Sequence, residues 1–234
     1  MGGVGEPCRL GLIALGDSIT NGDGEPALGV SHRSWALWLA QALELPYTNR
    51  AVDGAVASDV VREQCSRVPA DYDLACLYVG VNDARGPDWD PDRYAAALDA
   101  ALAHLRAHAT RVLTLTIPLD LGRPRAGGAV PRANALIRRL AGEHGAVCAE
   151  LSDLRGWRLL LPDAVHPTAL GQLEIADRAA RALATAGAPV PRLPSTLVDP
   201  DGSRRAGARF AVRWGSLLAR DLARRRLETM RAHT

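Results

Sequence analysis

A chain of 234 residues with 47% hydrophobic side chains can bury a full core, which excludes global disorder and suits one α/β domain with a modest extension. The formal net charge of +2 gives no reason to expect nucleic acid as a partner, and all 28 basic residues are arginine, which excludes Schiff-base and P-loop lysine chemistry. The four cysteines, Cys8, Cys65, Cys76 and Cys148, show neither Cys-x-x-Cys spacing nor a nearby histidine pair, so no zinc site is expected.

The N-terminal stretch has no charged segment followed by a long apolar run, and no segment approaches the roughly 20 apolar residues that span a bilayer. The default expectation is a soluble cytoplasmic protein without stable membrane insertion. A first strand is predicted over residues 10–15, leading into Gly16-Asp17-Ser18-Ile19-Thr20. A helical pattern over 34–43 follows, then a strand over 47–52, a helix over 58–68, a strand over 74–79 and a helix over 91–108. Strands over 111–115 and 146–150 flank a helix over 131–144, and a helix over 168–184 closes the series. Cys76 and Cys148 fall within predicted strands and read as buried free thiols. Strands separated by helix-length crossovers force a parallel sheet with right-handed connections. The predicted fold is therefore a three-layer α/β/α sandwich around a five-stranded parallel sheet, with ligands gathering at the carboxyl ends of the strands. Residues 187–207, rich in Pro, Gly and Arg, read as a surface strap or linker, and an amphipathic helix is predicted over 208–230. The division expected is 1–187 for the α/β domain and 188–234 for the strap and last helix.

Ser18 lies just past a parallel strand in a turn of small residues, at the mouth of the sheet. A helix starting there would aim backbone N–H groups at an anion beside Ser18 Oγ, although a serine in this position can also be no more than a helix cap. A serine nucleophile needs a base. Pro162-Asp163-Ala164-Val165-His166-Pro167 supplies one, because Asp and His three apart on one loop can place the carboxylate against one imidazole nitrogen and leave the other for Ser18. Taken alone, this spacing also suits a surface loop. Gly54, leaving the second strand, allows close backbone approach to a substrate, and Asn82, leaving the third, offers an amide donor to a developing oxyanion; each is also an ordinary turn residue.

Taken together, the blocks Gly16-Asp17-Ser18, Gly54, Gly80-Val81-Asn82-Asp83 and Asp163-x-x-His166 resemble the SGNH hydrolase superfamily, the GDSL esterases and lipases, over about residues 10–184. The resemblance implies Ser18 as nucleophile, His166 as base and Asp163 orienting it. It implies an oxyanion hole made by the backbone N–H of Ser18 and Gly54 and the side chain of Asn82. The activity implied is cleavage of a small-molecule ester through an acyl-enzyme, without metal or organic cofactor. The Trp35 and Trp38 segment, the run from Asp90 to Tyr94 and the Trp- and Arg-rich tail are similar to small members of actinobacterial type. An acyltransferase using the same site, with an alcohol replacing water, and a catalytically silent binding module on the same fold are the alternatives.

Other signals are weaker. His104 and His108 lie one helical turn apart with no third ligand in view, and read as surface histidines at a helix end. Asp17 and Asp83 read as loop-stabilising. Phe210, Trp214, Leu217, Leu218 and Leu222 form an apolar stripe that is expected to pack back on the catalytic domain. A homodimer contact and an anionic membrane surface are the alternative partners for that stripe.

Overall fold

A computed structural model describes residues 10–69, 71–119 and 126–231. Its strands β1 (Leu12–Gly16), β2 (Tyr47–Asn49), β3 (Tyr72–Tyr78), β4 (Ala109–Leu115) and β5 (Val147–Ala149) form one sheet in the order β2-β1-β3-β4-β5. Every pairing is parallel. β1 is buried along its whole length because helices cover both faces, which is why its sequence, LIALG, is a continuous apolar run without alternation.

The helices are α1 (Ser18–Asn21), α2 (Trp35–Ala42), α3 (Ala57–Asp59), α4 (Val81–Arg85), α5 (Pro91–His108), α6 (Ala129–Glu143), α7 (Ala169–Thr185) and α8 (Arg204–Arg231). α2 packs against α7, while α3 and α6 pack against α5. The chain leaves β1 toward β2 on one side and reaches β3 on the other, so the order reverses at β1. Ser18 follows β1, Gly54 follows β2 and Asn82 follows β3. The three candidate loops thus come from adjacent strands at the switch point, where open α/β sheets hold their ligands.

Several details differ from the sequence expectation. The predicted helix over 58–68 starts at Ala57 and passes into a π-turn at Val60–Gln64 and a 3₁₀ turn at Cys65–Arg67. The segment 187–207 is not a plain linker. A 3₁₀ turn occupies Pro194–Leu197, the buried Asp177 carboxylate accepts from Ser195 N–H (2.8 Å) and Oγ–H (2.7 Å), and α8 begins at Arg204. Ser203 Oγ starts that helix by accepting from Ala206 N–H at 3.1 Å. Cys65 and Cys76 are buried free thiols and Cys148 is half-buried, while Cys8 lies outside the described residues.

α8 docks by one face. Ala206 and Phe210 are buried, and Trp214, Leu217 and Leu218 are half-buried. Phe210 stacks on Trp157 with centroids 5.3 Å apart, and Trp214 meets the same ring edge-on. Leu222 departs from the expected stripe and is 48% exposed. Among the described residues no helix is long and apolar enough to cross a membrane.

Candidate active site

The loop between β5 and α7 is folded by its own polar groups. Ala164 N–H donates to Leu161 O (2.9 Å), and Leu161 N–H donates to His166 O (2.8 Å). Ala164 takes a left-handed conformation with φ of 58°, a cost of order 1 kcal/mol for a residue with a Cβ. In return the Asp163 carboxylate faces its own backbone. Oδ1 accepts from Val165 N–H (2.9 Å) and His166 N–H (3.1 Å), leaving Oδ2 2.7 Å from His166 Nδ1. Thr168 caps α7 by accepting from Gly171 N–H, and its hydroxyl donates to Arg158 O, which fixes the far end of the loop.

His166 Nε2 lies 2.9 Å from Ser18 Oγ. An ionised carboxylate only accepts, so Nδ1 carries the imidazole proton and Nε2 accepts from the Ser18 hydroxyl. Burial opposes charge on His166, but the hydrogen bond and negative charge of Asp163, helped by Asp23 and Asp17, outweigh it and hold its pKa above the ordinary histidine value. Burial likewise raises the Asp163 pKa, yet the His166 hydrogen bond and charge and the two backbone N–H donors bring it below the usual aspartate value.

Ser18 is fixed by the turn out of β1. At Gly16, φ is +148° and a Cβ would sit 2.2 Å from Tyr78 O, so only glycine lets β1 end this close to β3. Asp17 caps α1, its Oδ1 accepting from Ile19 N–H at 3.0 Å, while its Oδ2 is buried with no hydrogen-bond partner among the described residues. Burial is the main reason that its pKa is pushed up to about 7; Ile19 N–H and His166 oppose that shift and Asp83 adds to it.

The other two loops are laced to this one. Val52 N–H donates to Gly16 O (3.1 Å), and Asn21 Nδ2–H donates to Asp53 Oδ1 (2.8 Å). Gly54 has φ of +77° and open space where a Cβ would be, so glycine is required there by conformation and not by crowding. Its N–H has no acceptor among the described residues. Asn82 donates one Nδ2–H to Ala55 O (3.0 Å), which leaves the amide a second hydrogen. Asp83 accepts from Ala57 N–H, and burial pushes its pKa up to about 6. A cavity of about 210 Å³ opens beside Asn82, lined by Val56, Trp89, Arg93 and Tyr94 among others.

Two glutamines escaped the sequence reading. Gln64, in the π-turn, accepts from Gly16 N–H (2.9 Å) and donates to Gly16 O (2.8 Å), clamping the end of β1. Gln172, on α7, accepts from Trp35 N–H (2.8 Å) and donates to Ile19 O (3.0 Å), tying α1 to two helices. The signal for Gln172 was a polar residue on the apolar face of an otherwise regular amphipathic helix. His104 and His108 are half-buried and stacked on each other, with centroids 4.1 Å apart, instead of solvated separately.

Residues 14–173 match the GDSL-like Lipase/Acylhydrolase family. The chain is similar in structure to the acetylxylan esterase Axe2 from Geobacillus stearothermophilus, with 18% identity, 74% of this chain and 93% of that chain covered, and a TM-score of 0.59. It is similar to LAE5, an alpha/beta hydrolase from the metagenome of Lake Arreo, with 21% identity, 74% and 94% coverage and a TM-score of 0.58. It is also similar to an extracellular lipase from Streptomyces rimosus, with 24% identity, 73% and 100% coverage and a TM-score of 0.55. No curated protein sequence matches the chain. The matched span holds Ser18, Gly54, Asn82, Asp163 and His166 and more than half of the residues, and on that match the chain belongs to the GDSL-like lipase and acylhydrolase family.

Proposed function

We propose that the chain is a serine hydrolase that cleaves a carboxylic ester through an acyl-enzyme. The observation that carries the reading is the relay from Ser18 Oγ through His166 to the Asp163 carboxylate, with contacts of 2.9 and 2.7 Å. Family membership supports an ester as the bond cleaved. Ser18 Oγ attacks the ester carbonyl carbon while His166 Nε2 takes its proton. The oxyanion is held by the N–H groups of Ser18 and Gly54 and by the free Asn82 amide hydrogen. The tetrahedral adduct expels the alcohol, which takes the proton back from His166. Water, deprotonated by the same nitrogen, then releases the acid and restores Ser18. No step needs a metal or an organic cofactor. Hydrolysis of p-nitrophenyl esters from acetate to palmitate tests the reading, and no turnover of any of them would contradict it.

Asn82→Ala is expected to lower kcat by about 10²–10³-fold with a smaller change in KM, since the lost hydrogen bond matters most when the oxyanion has formed. An effect confined to KM would make Asn82 a ground-state binding residue instead. The pH profile has a definite sign. His166 must be neutral to accept the Ser18 proton, and its pKa is raised. kcat/KM therefore rises with pH through a midpoint above about 6.5, the unperturbed histidine value. A pH–rate profile that is flat across this range, with chemistry rate-limiting, would count against a histidine base.

Residues 1–187 carry all of this chemistry, and residues 188–234 act as a brace. Trp214 Nε1–H donates to Leu160 O at 3.0 Å, which ties α8 to the segment just before the Asp163 loop, and Arg213 pairs with Glu25 on the other side. Truncation before Ser203 uncovers the Phe210 and Trp214 contacts. It should cost about 3–5 kcal/mol and lower Tm by roughly 10 °C. Phosphonate labelling of Ser18 in the folded fraction should persist. If a soluble, folded truncation labels normally but loses orders of magnitude of turnover on a small activated ester, the tail shapes substrate binding and is more than a brace.

A further inference from the structure

The charge of the chain is segregated. Nine of the 28 arginines and only two of the 26 acidic residues, Asp221 and Glu228, fall in α8. The helix therefore carries seven net positive charges, and the rest of the chain five net negative ones. The inward face is accounted for by Ala206, Phe210 and Trp214, with Leu217 and Leu218 half-buried. The outward face has an apolar strip. Val212, Ala219, Ala223 and Met230 are spaced by seven and four residues, which places them in line on a helix. Val212 is 72% and Met230 67% exposed, and Leu222 and Leu227, beside the strip, are 48% and 56% exposed. Exposed arginines accompany the strip, with Arg209 and Arg220 on one side, Arg226 on the other and Arg205 in line with it at its start.

We infer that the outward face of α8 docks the protein on an anionic lipid surface. Both halves of the pattern are needed. A helix serving only to bind a polyanion in water gains nothing from four large exposed aliphatic side chains, whereas a lipid interface takes them into the acyl boundary while arginines reach the headgroups. The acidic remainder of the molecule is repelled by the same surface, so charge alone orients the helix toward it. α8 also lies beside the loop that carries Asp163. Leu217, Arg220 and Asp221 line a cavity of about 260 Å³ with Leu161, Pro162 and Asp163. The inference concerns α8 alone and does not depend on the catalytic assignment.

The test is co-sedimentation of the full chain with vesicles of phosphatidylcholine, with and without roughly one-third phosphatidylglycerol, at low and high salt. Binding is expected only to the anionic vesicles and should weaken as salt rises. Replacing Arg205, Arg209 and Arg226 together by Gln should weaken it by about 10²-fold, and Leu222→Ser with Leu227→Ser by about tenfold or more. Both variants should keep wild-type Tm and wild-type turnover of a water-soluble ester, and Ser18→Ala should bind vesicles as the wild type does. No pelleting with anionic vesicles at low salt would overturn the inference. So would aliphatic variants that bind like the wild type, RNA binding without vesicle binding, or self-association in light scattering that accounts for the face without lipid.

Discussion

Ser18→Ala is expected to lower kcat on a water-soluble ester by about 10⁴-fold or more while leaving Tm within a few degrees of the wild type. The reason is chemical and local. The substitution removes Oγ, the atom 2.9 Å from His166 Nε2, and touches little else, because α1 is capped by Asp17 and held by Gln172 through Ile19 O. What survives is the residual stabilisation offered by the oxyanion donors. A variant that keeps near-normal turnover would place the nucleophile elsewhere.

Asp163→Asn should cost a comparable amount, about 10⁴-fold in kcat, by a different route. The amide fills the same space but can present a donor to His166 Nδ1 where the carboxylate only accepts. The imidazole proton is then driven to Nε2, the nitrogen that must accept from Ser18. The change also removes the charge that stabilises the imidazolium formed during attack. Because His166 owes its raised pKa largely to Asp163, the residual activity should show a midpoint shifted to lower pH. Loss of kcat without that shift would mean that Asp163 acts on the loop fold, through its bonds to Val165 and His166 N–H, and not on the ring.

Much of this was legible in the sequence because each feature is local. β1 is a short apolar run ending in Gly16 and β3 a largely apolar run followed closely by Gly80, so the sheet edge follows from local pattern, while the pairing of Asp163 with His166 on one loop gained its meaning from the combined motif set. The rest depends on contacts distant in the chain. Gln64 and Gln172 bond to groups 48 and 153 residues away; no local pattern marks Gln64, and Gln172 shows only as a polar residue on an apolar helix face. The π-turn that presents Gln64 has the composition of an ordinary helix. The early start of α8 was hidden because the Pro, Gly and Arg content around it outweighed a single capping serine, Ser203. β2 stops at Asn49 as a paired edge strand, yet Arg50 N–H to Ala14 O and Val52 N–H to Gly16 O carry the chain on beside β1 toward Gly54, which explains the longer run seen in the sequence.

The central claim is that Ser18 is a nucleophile activated by His166. The most direct measurement is peptide mapping by mass spectrometry after reaction of the full chain with an activated phosphonate ester. The account predicts one adduct per chain on the peptide carrying Ser18, loss of esterase activity in proportion to labelling, and slower labelling below the His166 pKa. An adduct on another residue, or activity that persists after Ser18 is fully labelled, would contradict it.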